Sequence, residues 1–313
     1  MRALVTGGAG FIGSHVVEAF VARGYEVVAV DDLSKGSAEN VSPPARHEQI
    51  DIVEAGRLDA VFDAVRPTIV AHLAAQASVT ASVARPGHDL DVNVRGTFNV
   101  CEAARRHRAP VVFASTGGAL YGDDAPIPTK EGWSPEPLSP YGASKLAGES
   151  YVATWGRLHD LPNVVLRLAN IYGPRQTSHG EAGVVAIFSD RLLAGQSPTI
   201  YGDGSQTRDY VHVSDVARAF TAAAEGGRAG TYNVGRGEES TVLTLLSVLQ
   251  EAAGTSLEPE FAPLRPGELQ RSALDSGAIE HALGWRPTVG VADGLAETFR
   301  WYASGAPVTP EVS

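Results

Sequence analysis

Tyr141 and Lys145 are the two side chains of this sequence whose types and spacing best suit chemistry. Ser139 can cap a helix and Pro140 fits its first turn, so we predict a helix from about Tyr141 to Leu158. Side chains four residues apart then share one face of that helix. A nearby ammonium favours a phenolate and lowers the tyrosine pKa from its usual value of about 10, which would let Tyr141 take a proton from an alcohol. The alternative is a surface Tyr–Lys pair without a function.

A glycine-rich segment near the start of the chain leads into a second predicted helix. The pattern predicts a strand at Arg2–Thr6, followed by three glycines, Gly7, Gly10 and Gly13. A helix at Ser14–Ala22 and a second strand at Glu26–Val30 are predicted next, and the acidic pair Asp31-Asp32 ends that strand. Glycines let the backbone approach a pyrophosphate, and the N-terminus of a helix attracts its charge. The segment therefore predicts a βαβ dinucleotide site, although its spacing is GxxGxxG and not the commoner GxGxxG. The alternative is a glycine-rich turn with no ligand.

Asp31 follows these glycines at the end of the second strand, about twenty residues on, where a carboxylate can bind the ribose hydroxyls of an adenosine. The same charge repels a 2′-phosphate, and the nearest cation is Lys35. We therefore predict NAD and not NADP. Together with the hydroxyls of Ser115 and Thr116 and the Tyr141 base, this site predicts nicotinamide chemistry at a carbon that bears a hydroxyl.

Strands and helices alternate through the first half of the chain. We predict further strands at Thr68–Leu73, Pro110–Ala114 and Asn163–Leu168 and a helix from about Asp89 to Arg108. This order is typical of an α/β fold with a Rossmann-type, doubly wound parallel sheet. Ligands lie at the carboxyl ends of such strands, and those ends carry Gly7, Asp31, Ala74, Thr116 and Asn170. We therefore predict one shared site.

The pattern changes after about Asn170 to shorter pieces punctuated by Gly and Pro. We predict an NAD-binding Rossmann domain at 1–169 and a smaller α/β C-terminal substrate lobe at 170–313, interleaved with the last strands of the sheet. The tail from Gly305 to Ser313 is predicted to be disordered.

Composition argues against several classes of function. The 313 residues carry a formal net charge of −11, which disfavours nucleic acid and acidic membranes as partners. No apolar run approaches about 18 residues and the start lacks the pattern of a secretion signal, so neither a membrane span nor export is expected. The single cysteine, Cys101, cannot form an internal disulfide and fits a cytoplasmic location. No metal site is predicted.

Motifs along nearly the whole chain resemble the extended short-chain dehydrogenase/reductase family, in its NAD-dependent epimerase/dehydratase branch. Beyond the glycines, Asp31, Tyr141 and Lys145, they are Asp51-Ile52, His72 to Gln76, Asn93, Ser115 to Gly118, Asn170 to Arg175, Arg208-Asp209-Tyr210, Asn233-Val234-Gly235 and Arg265 to Glu268. Their order and spacing carry the resemblance. It implies a UDP-sugar 4-epimerase that inverts C4′ through a transient 4-keto intermediate with tightly bound NAD.

The resemblance also implies a role for each matching residue. Tyr141 is the proton acceptor, Lys145 holds the nicotinamide ribose, and Thr116 hydrogen-bonds the sugar 4′-oxygen, with Ser115 as the rival for that role. The implied cofactor-binding residues are Gly7, Gly10, Phe11, Ile12, Gly13, Asp31, Asp32, Ser34, Lys35, Asp51, Ile52, Leu73, Ala74, Ala75, Gln76, Asn93, Tyr141 and Lys145. The implied substrate-binding residues are Ser78, Thr80, Thr116, Asn170, Arg175, Gly183, Val184, Tyr201, Arg208, Arg265, Glu268 and Ser272.

Within the substrate set, Arg208 and Arg265 would clamp the diphosphate through charge-assisted hydrogen bonds. Tyr201 would stack on the uracil, and Glu268 would reach the uridine ribose, where the family usually has Asp. An ion pair with Asp209 is the alternative for Arg208. The two long helices predicted above correspond to those that pair subunits in relatives, so the resemblance also implies a homodimer.

UDP-glucose and UDP-galactose are the first expectation for the sugar. Ser272 stands where some epimerases have a large tyrosine, which would admit the 2′-N-acetyl group of UDP-GlcNAc. Arg175, Gln176 and Ser78-Val79-Thr80 could meet the carboxylate of UDP-glucuronate. Gly117-Gly118 replaces the Asp-Glu with which related dehydratases eliminate water, so dehydration is not expected. A nucleotide-sugar reductase and a non-catalytic NAD-binding protein are the remaining classes.

Overall fold

The computed structural model describes residues 1–178, 183–264 and 269–305, and its centre is a seven-stranded sheet. The strands of the described residues are β1 (Arg2–Thr6), β2 (Glu26–Asp31), β3 (Arg46–Gln49), β4 (Ile69–His72), β5 (Val111–Thr116), β6 (Val164–Leu168), β7 (Asn170–Tyr172), β8 (Thr199–Tyr201), β9 (Thr207–Arg208), β10 (Tyr210–His212), β11 (Gly230–Val234), β12 (Ser240–Thr241) and β13 (Glu260–Ala262). The order in the large sheet is β3-β2-β1-β4-β5-β6-β11, and every neighbouring pair is parallel. The predicted doubly wound parallel sheet is confirmed.

Helices cover both faces of this sheet, and others pack with the short strands that follow it. They are α1 (Phe11–Ala22), α2 (Ala55–Val65), α3 (Val79–Ala84), α4 (Pro86–Leu90), α5 (Thr97–Arg106), α6 (Pro140–His159), α7 (Val184–Leu193), α8 (Val213–Gly226), α9 (Val242–Ala253), α10 (Gly277–Leu283) and α11 (Val291–Ala303). A short 3₁₀ helix lies at Ala38–Asn40. The helix predicted from about Asp89 to Arg108 is instead a longer helical run in which a π-helical segment, Asp91–Gly96, separates α4 from α5.

Alternating side chains divide the core into two halves, because neighbours on a strand point to opposite faces. On β1, Ala3 and Val5 belong to the core shared with α1 and α8, whereas Leu4 belongs to the core shared with α2, α5 and α6. Burial on both faces requires nearly continuous apolar strands, which is the pattern that predicted them. The direction of winding reverses between β1 and β4, so the loops that follow these two strands open a cleft at the carboxyl edge.

Short strands after β6 form two-stranded sheets of their own. β7 pairs with β10 and β8 with β13, both in parallel, and β9 pairs with β12 in antiparallel fashion. The helices α7, α9 and α11 enclose a third apolar core with them. β11 then joins the edge of the large sheet beside β6. The chain therefore returns to the large sheet after residue 170, and the division into two domains stays a prediction.

The last predicted segment, Gly305–Ser313, lies outside the described residues from 306 onward. Within the described ranges, none of the helices is both long and apolar enough to cross a membrane.

Candidate active site

The glycine-rich segment forms a tight turn between β1 and α1 at the cleft. Gly7 has a φ of 70°, which favours glycine, and a Cβ there would lie 2.6 Å from the backbone nitrogen of Ala74. A Cβ on Gly13 would lie 1.9 Å from the carbonyl oxygen of Gly7. Gly10 is the N-cap of α1 and makes no side-chain capping hydrogen bond. The first N–H groups of the helix, beginning at Phe11, are therefore able to bind an anion. This cradle fits a pyrophosphate.

Asp31 ends β2 beside this turn and is 7% exposed. Its carboxylate accepts hydrogen bonds from the backbone N–H groups of Ala9 (3.0 Å) and Leu33 (2.9 Å). Burial raises the pKa of the carboxyl above its ordinary value, and these two hydrogen bonds oppose the rise. The side chain predicted to bind a ribose is therefore held in one orientation at the rim of the cradle.

The residues predicted for the adenosine end lie in the loops after β2 and β3. The Asp32 carboxylate accepts both the N–H and the hydroxyl of Ser34, and Lys35 follows in the same loop. Asp51 accepts the backbone N–H two residues further on. The side chain of Ile52 is 3% exposed inside the core, so only its backbone could face an adenine. The contacts of these residues with a cofactor stay predictions.

Residues 73–76 form the opposite wall of the cleft, directly after β4. The buried side chain of Asn93, in the π-helical segment, holds this wall in place. Its Oδ1 accepts the N–H of Gln76 (2.8 Å), and its Nδ2 donates to the carbonyl oxygen of Gln76 (2.9 Å) and to the hydroxyl of Ser144 (3.0 Å). Asn93 thus joins the wall to the helix that carries Lys145, which places it beneath the predicted cofactor path.

Tyr141 and Lys145 lie on α6, and the predicted start of this helix at Ser139 and Pro140 is confirmed. Ser139 caps α6 by accepting the N–H of Gly142 at 3.1 Å, and Pro140 occupies the first turn. The Tyr141 phenol lies near the side chain of Thr116, at the end of β5. The two groups predicted to handle the sugar 4′-oxygen therefore lie close together.

The expected lowering of the Tyr141 pKa is wrong for the protein alone. Burial raises the pKa of Tyr141 to about 12, the Asp89 carboxylate adds to the rise, and the hydrogen bond with Thr116 opposes it. The i, i+4 spacing places Lys145 on the same face, but desolvation of the phenol outweighs the effect that spacing alone predicted. Tyr141 is therefore a neutral phenol when no cationic nicotinamide is bound.

The surroundings of Lys145 explain why the residue spacing gave the wrong direction for the Tyr141 pKa. Its side chain is 3% exposed, and its ammonium lies 4.3 Å from the centre of the Phe113 ring. Burial lowers the pKa of Lys145 to about 8, while the carboxylates of Glu149 and Asp89 raise it. The ammonium thus interacts with an aromatic ring and two buried acids beneath the cleft.

Ser115 and Thr116 are adjacent in β5 and face different partners. The hydroxyl of Ser115 is buried and donates to Oε1 of Glu149 at 2.6 Å. The hydroxyl of Thr116 accepts the N–H of Ala119 at 3.2 Å and lies on the side of Tyr141. The geometry therefore favours Thr116 over Ser115 as the hydroxyl that faces a substrate.

Two of the predicted diphosphate and sugar contacts lie on strands beside this centre. The side-chain oxygen of Asn170 lies next to Gly118, where a Cβ would be 3.5 Å from it. Arg208, on β9, donates to the carbonyl oxygen of Thr207 at 2.8 Å. The carboxylate of the neighbouring Asp209 accepts three backbone N–H groups, at 2.8 Å, 3.0 Å and 3.1 Å. This occupation weakens the alternative in which Arg208 serves as its ion-pair partner.

The remaining substrate residues are more dispersed. Tyr201 ends β8 and is partly exposed. Gly183 precedes the first residue of α7, Val184. Ser272 lines a cleft that it shares with Gly117-Gly118, directly after Thr116. Two other members of the set, Arg265 and Glu268, lie outside the described residues.

Arg175 is engaged with the first domain. Its guanidinium forms a bidentate ion pair with Glu18 on α1, with N–O distances of 2.8 Å and 2.7 Å, and also contacts His15 at 2.9 Å. Ser78 accepts an N–H at the start of α3, which contains Thr80. In this arrangement these side chains support local structure, and their contact with a sugar stays a prediction.

Several residues next to Lys145 were missed by sequence reasoning. Asp89, Phe113 and Glu149 act on its charge. One signal was available for Glu149, because it lies one further helical turn along the Tyr141–Lys145 face. No His, Cys, Asp and Glu cluster suited to a metal ion occurs in the three described ranges.

Comparison with known proteins connects this geometry to a family. Residues 3–235 match the NAD dependent epimerase/dehydratase family. The chain is 46% identical to the UDP-glucose 4-epimerase of Mycolicibacterium smegmatis, with 96% of this chain and 98% of that protein covered. It is similar to a Thermotoga maritima UDP-glucose 4-epimerase solved with UDP-glucose, with a TM-score of 0.95, 42% identity, and 98% and 100% of the two chains covered. A Thermus thermophilus UDP-glucose 4-epimerase in complex with NAD gives a TM-score of 0.91 at 46% identity over 98% and 100%.

Proposed function

Because the chain belongs to the NAD-dependent epimerase/dehydratase family, we propose that it is a UDP-sugar 4-epimerase, an isomerase that inverts C4′ through a transient 4-keto sugar. The observation that carries the proposal is the position of Tyr141 beside the Thr116 side chain, at the same strand edge as the glycine cradle. Similarity to proteins named UDP-glucose 4-epimerase over nearly the whole chain supports it.

NAD is the cofactor that suits both the family and the cradle. Its pyrophosphate would lie at the start of α1, against Gly7 and Gly13. The Asp31 carboxylate would bind the adenosine ribose and repel the 2′-phosphate of NADP. Lys145 would hold the nicotinamide ribose. When bound, NAD⁺ supplies the hydride acceptor and a positive charge that opposes the burial-raised pKa of Tyr141.

The side chains of the protein handle the proton and hold the substrate. Tyr141 takes the proton of the 4′-hydroxyl as the C4′ hydride leaves, and returns a proton when hydride comes back to the other face. Thr116 keeps the 4′-oxygen in line with the phenol. Asn170 and Arg208 would hold the diphosphate while the keto sugar rotates, so the oxidised intermediate is not released.

UDP-glucose and UDP-galactose are the proposed substrates, since proteins similar over nearly the whole chain are named UDP-glucose 4-epimerase. UDP-GlcNAc is the second candidate, because Ser272 contributes a small side chain to the cleft beside Gly117-Gly118. UDP-glucuronate is the third, although Arg175 is paired with Glu18.

Incubation with each of the three sugars, without added NAD, tests the substrate. We expect NMR to detect UDP-galactose formed from UDP-glucose faster than either other 4′-inverted product. Rapid turnover of UDP-glucuronate with negligible turnover of the other two would transfer the assignment to a uronate epimerase. Accumulation of a 4-keto-6-deoxy sugar would instead identify a dehydratase.

Thr116→Val should lower kcat by about 100-fold, because valine keeps the shape of the strand and removes only the hydroxyl beside Tyr141. Ser115→Ala should lower kcat by less than about tenfold, since the Ser115 hydroxyl contacts Glu149. Steady-state rates with UDP-glucose decide between the two hydroxyls. A larger loss for Ser115→Ala would reverse their assigned roles.

A homodimer through α5 and α6 is the proposed assembly. The outer face of these helices carries a cluster of edge-to-face and tilted rings, those of Phe98, Tyr151 and Trp155, whose centroids lie 5.5 Å to 5.9 Å apart. Leu90, on α4, is 55% exposed, and Leu158, on α6, is 67% exposed. An exposed apolar patch of this kind is typical of a protein interface, and a second copy related by a two-fold axis can bury it.

Phe98→Glu combined with Tyr151→Glu should convert the dimer to a monomer, because each interface would then bury four unpaired carboxylates. Analytical ultracentrifugation at micromolar concentration measures the mass. Leu193→Glu, which places the same charge at an exposed position on α7, is the control and should stay dimeric. A monomeric wild-type protein would refute the assembly.

We also propose a cytoplasmic location, which the buried free thiol of Cys101, the single cysteine of the sequence, supports.

A further inference from the structure

A buried ion pair lies directly beneath the proposed catalytic residues. Glu149, on α6, and Arg167, on β6, are each 6% exposed. Nη2 of Arg167 lies 2.7 Å from Oε2 of Glu149, and Nε lies 2.9 Å and 3.2 Å from the two carboxylate oxygens. A buried pair gives little net stability over apolar side chains of the same size. Its charges are therefore better explained by the groups that they face.

Glu149 faces two of the residues assigned to the active centre. It accepts the Ser115 hydroxyl at 2.6 Å. It is also one helical turn beyond Lys145, and its charge acts on the buried ammonium. Burial disfavours that ammonium, whereas the carboxylate favours it. Glu149 thus opposes the desolvation of Lys145 and at the same time turns the Ser115 hydroxyl away from the cleft.

The carboxylate is held from the opposite side as well. Nη1 of Arg167 donates to the Tyr121 hydroxyl at 2.8 Å, and this hydroxyl donates to Oδ1 of Asn233 on β11 at 2.8 Å. Nδ2 of Asn233 in turn donates to the carbonyl oxygen of Thr129 at 2.9 Å. The chain of hydrogen bonds leaves the guanidinium little freedom to move away from Glu149.

We propose that Glu149, oriented by Arg167, is a positioning residue of the epimerase reaction that keeps Lys145 cationic and in place under the nicotinamide ribose. The inference rests on the proposed function. Arg167 orients the carboxylate, and Glu149 acts on catalysis through Lys145.

The other groups around Lys145 define the expected pH behaviour. They are Tyr141 on the same helix, the buried Asp89 on α4, and His72 on β4, with the Phe113 ring beside the ammonium. Burial and Lys145 lower the pKa of His72 to about 3, so this ring stays neutral while Lys145 titrates. Asp89 favours the ammonium, as Glu149 does, and remains in the variants described next.

Glu149→Gln tests the proposal because it keeps the shape and removes the charge. Loss of the carboxylate lowers the pKa of Lys145, and activity depends on the ammonium, so the alkaline limb of the kcat profile should move to lower pH. We expect a shift of about one pH unit or more, and KM for UDP-glucose within about threefold of wild type. Glu149→Gln, Arg167→Gln, which leaves no unpaired guanidinium, keeps the test open if the single variant does not fold, and should shift the limb in the same direction.

Asp215→Asn is the matched control. Asp215 is a fully buried carboxylate on α8 that pairs with Arg218 and accepts the N–H groups of Thr288 and Val289. Its removal should lower Tm and leave the alkaline limb in place. An unshifted limb in a folded Glu149 variant, or an equal shift in Asp215→Asn, would overturn the inference. If the wild type has no epimerase activity, the proposed function fails instead.

Discussion

Tyr141→Phe is expected to lower kcat for the inversion of UDP-glucose by about 10³-fold while the protein stays folded and retains NAD. The change removes one oxygen atom, the phenol oxygen on the side of Thr116, and leaves the ring in place. Without it, the 4′-hydroxyl proton loses its proposed acceptor as hydride leaves. Steady-state kinetics by NMR, with NAD content measured on the same sample, separates lost chemistry from lost cofactor.

Tyr232→Phe is the control for this loss. Tyr232 lies on β11 and its hydroxyl makes a 3.4 Å hydrogen bond to the carbonyl oxygen of Arg228, away from the cleft. The control should keep its rate within about twofold of wild type. A Tyr141→Phe enzyme that works at the wild-type rate would contradict the assignment of the proton acceptor.

Gly13→Ala should reduce the affinity for NAD by about 100-fold and abolish activity in the purified protein. A Cβ at this position would lie 1.9 Å from the carbonyl oxygen of Gly7 and 3.0 Å from Cα of Gly8, so the backbone of the cradle must move. Overpacking against backbone costs up to about 3 kcal/mol, which corresponds to about 100-fold in binding. NAD released from denatured protein measures the bound fraction.

Gly56→Ala provides the matched control, since a Cβ there would meet nothing within 4 Å. Its position in α2 also favours alanine over glycine. This variant should carry as much NAD as the wild type. Stoichiometric NAD in Gly13→Ala would contradict the placement of the pyrophosphate.

Local signals predicted much of the fold. The first strand, the glycine turn and the following helix depend on residues close together in sequence, and so does the Ser139 cap of α6. The apolar strands of the large sheet are also continuous runs. By contrast, β7 to β10 and β12 to β13 are two or three residues long, and their partners are distant in sequence, so periodicity could not find them.

The candidate site was predictable in its residue types and less so in its electrostatics. The spacing placed Tyr141 and Lys145 on one face, but the direction of the Tyr141 pKa depends on burial by several elements. Glu149 lies on α6 and its partner Arg167 on β6, and no local pattern joins them. Likewise, Arg175 follows β7 whereas its partner Glu18 lies on α1, far away in sequence, so no local pattern predicts their ion pair.

The measurement that tests the central claim most directly uses UDP-glucose deuterated at C4′, with purified protein and no added NAD. If bound NAD⁺ takes the deuteride and returns it within the same complex, the UDP-galactose formed will carry deuterium at C4′, which NMR detects as a missing proton signal. UDP-galactose with hydrogen at C4′ would show that the hydride delivered to the keto sugar came from a source other than the original substrate. Absence of any inverted product from active-site-intact, NAD-containing protein would contradict the proposed epimerase.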